Sequence, residues 1–123
     1  MKRRGFKMRK FKGTPGKWSV GLGVVVSDTP HPSMVDSKTG HCDIEYYGGY
    51  LVAESIFTKT DAEAIADMPK MLDMIVEMRS EMQTVINHLG RYVNTENYKR
   101  ITHLLNRSAT LIDKHTEEEN TNQ

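Results

Sequence analysis

From Met68 to Leu89, apolar side chains return every three or four residues: Met68, Leu72, Ile75, Met78, Met82, Val85 and Leu89, with Met71, Val76 and Ile86 beside them. That spacing is the period of an α-helix carrying one apolar stripe, close to a heptad seam. Such a helix runs roughly 30 Å and cannot close a core by itself, so it requires a partner. Gly90 reads as its stop. A second stripe, at Tyr98, Ile101, Leu104, Leu105, Leu111 and Ile112, opens behind Thr95. The predicted pair is an antiparallel helical hairpin over residues 60–89 and 95–115. At its start, Thr58 or Thr60 supplies an N-cap with Asp61 and Glu63 near the positive dipole end. Pro69 either kinks the chain after a short helix or sits in the first turn of a new one.

Strand signals come before these helices. Thr14-Pro15-Gly16 marks a turn. After it, Trp18, Val20, Leu22, Val24 and Val26 alternate with smaller residues, so residues 17–28 read as a half-buried strand or hairpin. Gly21 and Gly23 predict a bulge or tight bend within it. Residues 28–40 carry Pro30, Pro32, Ser33, Ser37 and Gly40 and read as a loop. Residues 41–57 read as a β-hairpin turning at Gly48-Gly49, with Tyr47 opposite Tyr50. In that register Cys42, Ile44, Tyr46, Leu51, Ala53 and Phe57 share the core face. Strands followed by helices, in that order, predict an α+β fold: an N-terminal antiparallel sheet and a C-terminal helical hairpin.

Charge divides the 123 residues further. Lys2, Arg3, Arg4, Lys7, Arg9, Lys10 and Lys12 are basic, with no acidic group among them. Without those seven, ten basic groups face sixteen acidic ones. The expected organisation is a basic arm over 1–12, one α+β domain over 13–116, and an acidic mobile tail over 117–123. Cys42 is the only cysteine, which fits a reducing compartment. No apolar stretch of the ~7–15 residues of a signal peptide follows the basic start. No run approaches the ~20 apolar residues of a membrane span. A cytoplasmic protein without a membrane partner is expected.

Catalytic constellations are weak. His41, Cys42 and Asp43 are adjacent, but strand neighbours point to opposite faces, so Cys42 would face the core and the others would not. The histidines (31, 41, 88, 103 and 115) form no His-x3-His pair, and one cysteine cannot build a structural zinc site. Glu63, Asp67, Asp73, Glu77 and Glu81 sit largely off the apolar seam. Gly21-x-Gly23 is only a fragment of a dinucleotide fingerprint. These observations predict a non-enzyme with no cofactor and no metal.

Binding has more material. Trp18, Tyr46, Tyr47, Tyr50 and Tyr92 can stack a base or another planar ligand, at ~1–3 kcal/mol per base. Arg91, Lys99, Arg100 and Arg107 can neutralise phosphate. The candidate ligand site is Trp18, Tyr47, Tyr50, Arg91, Tyr92, Arg100 and Arg107. The Met-rich seam is wider than one short helix requires, so Ile75, Met78, Met82, Val85 and Leu89 are the candidate homo-oligomer interface.

Two stretches resemble known proteins. Thr14-Pro15-Gly16-Lys17-Trp18-Ser19-Val20 resembles the Thr-Pro-Gly-Pro-Trp opening of many small phage and prophage accessory proteins. Residues 61–72, Asp61-Ala62-Glu63-Ala64-Ile65-Ala66-Asp67-Met68-Pro69-Lys70-Met71-Leu72, resemble the Asn-Ala-x-Leu-Ile-Ala-Ala-Ala-Pro-x-Leu-Leu segment of the same proteins. This chain departs from the pattern at Lys17, Asp61 and Asp67-Met68, and the helix from Thr95 lies outside the resemblance. In outline the chain is also similar to the Thoeris anti-defence sponges. The resemblance implies a phage accessory context in a bacterial host cell. With the aromatic and Arg supply, the oligomer-prone seam and the lack of catalytic groups, the expectation is a protein that sequesters a small nucleotide immune signal at a subunit interface. The alternative is an anti-CRISPR-like or regulatory inhibitor that binds protein or nucleic acid through residues 2–12.

Overall fold

The computed structural model describes residues 9–34 and 44–119. Its strands are β1 (Arg9–Phe11), β2 (Trp18–Val20), β3 (Val25–Ser27), β4 (Tyr50–Ala53) and β5 (Thr116–Glu118). Its long helices are α1 (Lys59–Leu89) and α2 (Thr95–His115). The class is α+β, with an antiparallel sheet ahead of two long helices. The chain divides into two compact units: Phe11–Pro69, and Lys70 onward together with Arg9 and Lys10.

The first unit is built on an antiparallel sheet of order β2-β3-β4. Trp18 pairs with Ser27 and Val20 with Val25, so β2 and β3 form a hairpin. Its turn is closed by Gly21 N–H donating to Val24 O at 2.9 Å. Gly23, at φ +69°, supplies the left-handed step, so the glycine pair is a tight bend. β4 pairs on the other side of β3, Ser27 with Tyr50 and Val25 with Ala53, with an irregularity between Val25 and Val26. The chain leaves β4 through Ser55 in a left-handed conformation, and Ile56 N–H donates to Gly23 O at 3.0 Å. Val25, Ala62 and Ala66 form the core, with Trp18, Val20, Val52, Ala53, Ile56 and Ile65 packed against it. The first turns of α1 lie close because small alanines recur one turn apart on the covered face.

The expected hairpin over 41–57 requires correction. Residues 44–47 are helical, and β4 takes β3 as its partner. Gly48 N–H donates to Ile44 O at 3.1 Å, and Gly48 has φ +80°. Gly48 is therefore the left-handed stop of one helical turn, not the first residue of a primed hairpin turn. The proposed core face dissolves with the pairing: Tyr46 and Phe57 are 82% and 103% exposed. Residues 41–43, including Cys42, lie outside the described residues.

Thr58 is the N-cap of α1, its hydroxyl accepting from Asp61 N–H at 3.1 Å. The helix then continues unbroken for 31 residues with Pro69 inside it, where the sequence had suggested two helices. Pro69 has no N–H to donate to Ile65 O and its ring crowds that carbonyl, a cost of about 3 kcal/mol or more that the rest of the helix offsets. The division between the two units falls at this residue. A short 3-10 turn over Gly90–Tyr92 joins α1 to α2, and Asn94, rather than Thr95, caps α2 by accepting from Asn97 N–H at 2.8 Å.

In the second unit the helices run antiparallel. Arg79 Nε donates to Leu105 O at 3.3 Å, and Gly90 adjoins the Tyr98 ring. β1 pairs with β5. Arg9 bonds Thr116 (Nε to Oγ1, 2.8 Å) and meets Asp113 at 3.3 Å, while Lys10 meets Glu117 at 3.7 Å. Within the expected basic arm and beside the expected acidic tail, residues 9–11 and 116–118 thus pair as strands with opposite charges meeting; residues 1–8 and 120–123 lie outside the described residues.

Candidate functional site

α1 carries two apolar arcs beyond Lys70, and only one is covered. Leu72, Ile75, Arg79 and Met82 are half-buried and Ile86 is buried, at the three- and four-residue spacing of a packed seam. On α2, Ile101 and Ser108 are half-buried, and Leu105 and Ile112 are buried. These two rows make the seam of the hairpin. Met71, Met74, Met78, Val85 and Leu89 are each about half exposed, from 51 to 57%. At 3.6 residues per turn they fall within an arc of about 60°, roughly a quarter turn from the seam. Leu104 and Leu111, both 49% exposed, stand a quarter turn from the seam of α2 in the same rotational sense. Equal offsets on antiparallel helices point to the same side of the pair. Ile75, Leu104, Arg107, Ser108, Thr110 and Leu111 accordingly line one open groove. The hairpin thus presents a continuous two-helix apolar face.

The predicted interface residues separate on this geometry. Met78, Val85 and Leu89 belong to the exposed stripe, while Ile75 and Met82 turn toward α2. The sequence reading had placed Leu104 and Leu111 on the inner face of the last helix. Their quarter-turn offset from Ile101 and Leu105 is the sequence signal that separates them from the seam.

The predicted ligand residues fall in different places. Trp18 packs against the core, its Nε1–H donating to Thr14 O at 2.9 Å and its ring meeting Phe11 edge-on. Tyr47 donates its hydroxyl to Glu54 at 2.8 Å, and Tyr50 is a paired residue of β4. These three lie in the first unit. Arg91, Tyr92, Arg100 and Arg107 lie in the second and are exposed. Within it, the Arg91 guanidinium sits over the Tyr92 ring, 4.9 Å from its centroid. Among the described residues no cluster of three metal-ligating side chains forms, and no helix is long and apolar enough to cross a membrane.

The Thr14-Pro15-Gly16-Lys17-Trp18 stretch has a structural job. Ser27 Oγ, on a buried residue, donates to Pro15 O and accepts from Thr29 N–H at 3.1 Å. Asp28 Oδ1 accepts from Lys17 N–H at 3.0 Å and from the Thr29 hydroxyl at 2.8 Å. Gly16, at φ +87°, lets the turn close against that carboxylate. The Lys17 amide, then the Thr29 hydroxyl, hold the Asp28 carboxyl below the ordinary aspartate range. A depressed folded value adds stability above the unfolded value and loses it as pH falls through the folded one. Asp28→Asn should therefore lower the melting temperature at neutral pH, with the deficit shrinking as pH falls from about 5 to about 3. Thermal denaturation across that range checks it; a deficit constant with pH would show that the charge is irrelevant.

Neither a protein-family model, nor a curated protein, nor a solved structure matches this chain. Its surfaces are the basis for a functional reading.

Proposed function

We propose that this chain is a non-enzymatic binding protein that works as a homo-oligomer, with the helical hairpin as its association surface. The observation that carries this reading is the uncovered apolar face: seven large side chains stand about half exposed on one side of two helices, while beyond Lys70 the pair buries only Ile86, Leu105 and Ile112 among its hydrophobics. A contiguous apolar face of this kind marks an association site. Methionines dominate its α1 half, and they pack adaptably.

The ligand class we propose is a small nucleotide-type signal. Support comes from the exposed Arg91–Tyr92 pair, which offers a ring face for a base and a guanidinium for phosphate. The resemblance to phage accessory proteins adds a counter-defence role in a bacterial cytoplasm. Arg9 and Lys10 are engaged by Asp113, Thr116 and Glu117, which draws that part of the basic arm away from a nucleic-acid role.

Sedimentation velocity of the full chain, combined with calorimetry against cyclic nucleotides and cyclic ADP-ribose isomers, tests both parts. Concentration-dependent association and binding heat for one compound are expected. A monomer at about 100 µM, a concentration at which even weak pairing registers, removes the oligomer. Absence of heat for every compound removes the nucleotide.

A further inference from the structure

We infer that two copies of the hairpin pack face to face about a two-fold axis parallel to the helices, so that α1 of one copy lies on α2 of its partner. The result is a four-helix bundle with two identical α1–α2 contacts. This inference rests on the self-association proposed above and goes further, because it fixes which helix meets which.

The face has the dimensions for it. Two helices ~30 Å long and ~10 Å apart present roughly 600 Å², on the scale of the ~800 Å² per partner of a standard interface. Two symmetric arrangements would cover it. With the axis along the helices, α1 meets the partner's α2. With the axis across them, α1 meets the partner's α1 and α2 meets the partner's α2.

The charges flanking the stripe choose between these. Along the outer edge of the α1 stripe stand Glu77 and Glu81; along the outer edge of the α2 stripe stand Arg100 and Arg107, one heptad apart. All four are exposed, and among the described residues none enters a salt bridge. The hairpin register follows from Arg79 reaching Leu105 O and from Ile75 lining a groove with Ser108. In that register Glu77 is level with Arg107, and Glu81 lies about one turn or less from Arg100. An axis parallel to the helices preserves those levels. Glu77 then stands beside the partner's Arg107, and Glu81 beside the partner's Arg100, on the flanks of a closed apolar core. The crossed arrangement instead sets Glu77 against the partner's Glu81, acid on acid. Flanking charges of this kind set orientation in helical assemblies.

The test uses the full chain and charge reversal. Sedimentation equilibrium of the wild type gives the dimer constant. Glu77→Arg with Glu81→Arg should weaken dimerisation at least about tenfold, since both Glu–Arg pairs, on each side of the two-fold axis, become repulsive. Adding Arg100→Glu and Arg107→Glu to the same chain restores opposite charges and should recover the wild-type constant. Far-UV circular dichroism confirms that each variant keeps its helices. In the crossed arrangement the first variant would dimerise as well as the wild type, and that result overturns the inference while leaving self-association standing. A monomeric wild type overturns both.

Discussion

Gly16→Ala is expected to lower the stability of the sheet-bearing unit by about 2–4 kcal/mol, more than a surface turn glycine ordinarily would. Two effects add. At φ +87° a side chain costs about 1–2 kcal/mol in backbone strain. The new methyl would also land on Asp28 Oδ1 and the Thr29 side chain, displacing the carboxylate from the Lys17 amide. For a domain of this size that is a fall of about 10 °C or more in melting temperature. Gly48→Ala is the matched control: its φ is +80°, yet nothing lies within 4 Å of the added methyl. It should cost about 1 kcal/mol, the backbone part alone. Equal losses at the two glycines would mean that the turn yields and that crowding by Asp28 contributes nothing.

Leu104 and Leu105 are neighbours with opposite duties, and alanine at each should separate them. Leu105 is 4% exposed, in the hairpin seam beside Arg79. Leu105→Ala deletes buried methyl groups and leaves a cavity that two helices fill poorly, at a cost of about 2–5 kcal/mol. Leu104 is 49% exposed and lines the open groove. Leu104→Ala should change the stability of the dilute chain by less than about 1 kcal/mol, yet weaken association measurably. Thermal unfolding followed at 222 nm and sedimentation at matched concentrations give the two readouts. If Leu104→Ala unfolds the protein as Leu105→Ala does, the leucine belongs to the core and not to a docking face.

The apolar face was half legible in advance. Reading Met68 to Leu89 as one heptad seam treats a straight helix as a supercoiled one. A straight α-helix drifts about 20° per heptad against that repeat, so a long seam divides into two arcs. Leu72, Arg79 and Ile86 went to α2, while Met71, Met74 and Met78 stayed outside. Arg79 in the seam was invisible to hydrophobicity alone, because its aliphatic stem packs while its guanidinium reaches the Leu105 carbonyl. The scattered ligand residues failed for a different reason: aromatic and Arg supply is a matter of composition, and composition carries no distances.

Gly48-Gly49 shows where local chemistry is ambiguous. A primed hairpin turn and a helical stop both need the left-handed conformation that Gly48 adopts. The neighbouring glycine settled the matter through its surroundings. A methyl on Gly49 would come within 2.9 Å of the Val26 Cβ, so β4 lies against β3 only because that side chain is absent.

The order of strands and helices, the limits of the first long helix at Thr58 and Gly90, and the turn at Pro15-Gly16 were determined by the sequence itself. Capping, stopping and turning are satisfied by residues a few positions apart, so their signals are local. Three choices belonged to the tertiary structure. β4 pairs with β3 while residues 44–47 are helical, the strands over 9–11 and 116–118 join, and one of two nearly equal arcs of α1 turns inward. Each brings together residues far apart in the chain, where period and propensity are alike for several partners and only packing ranks them.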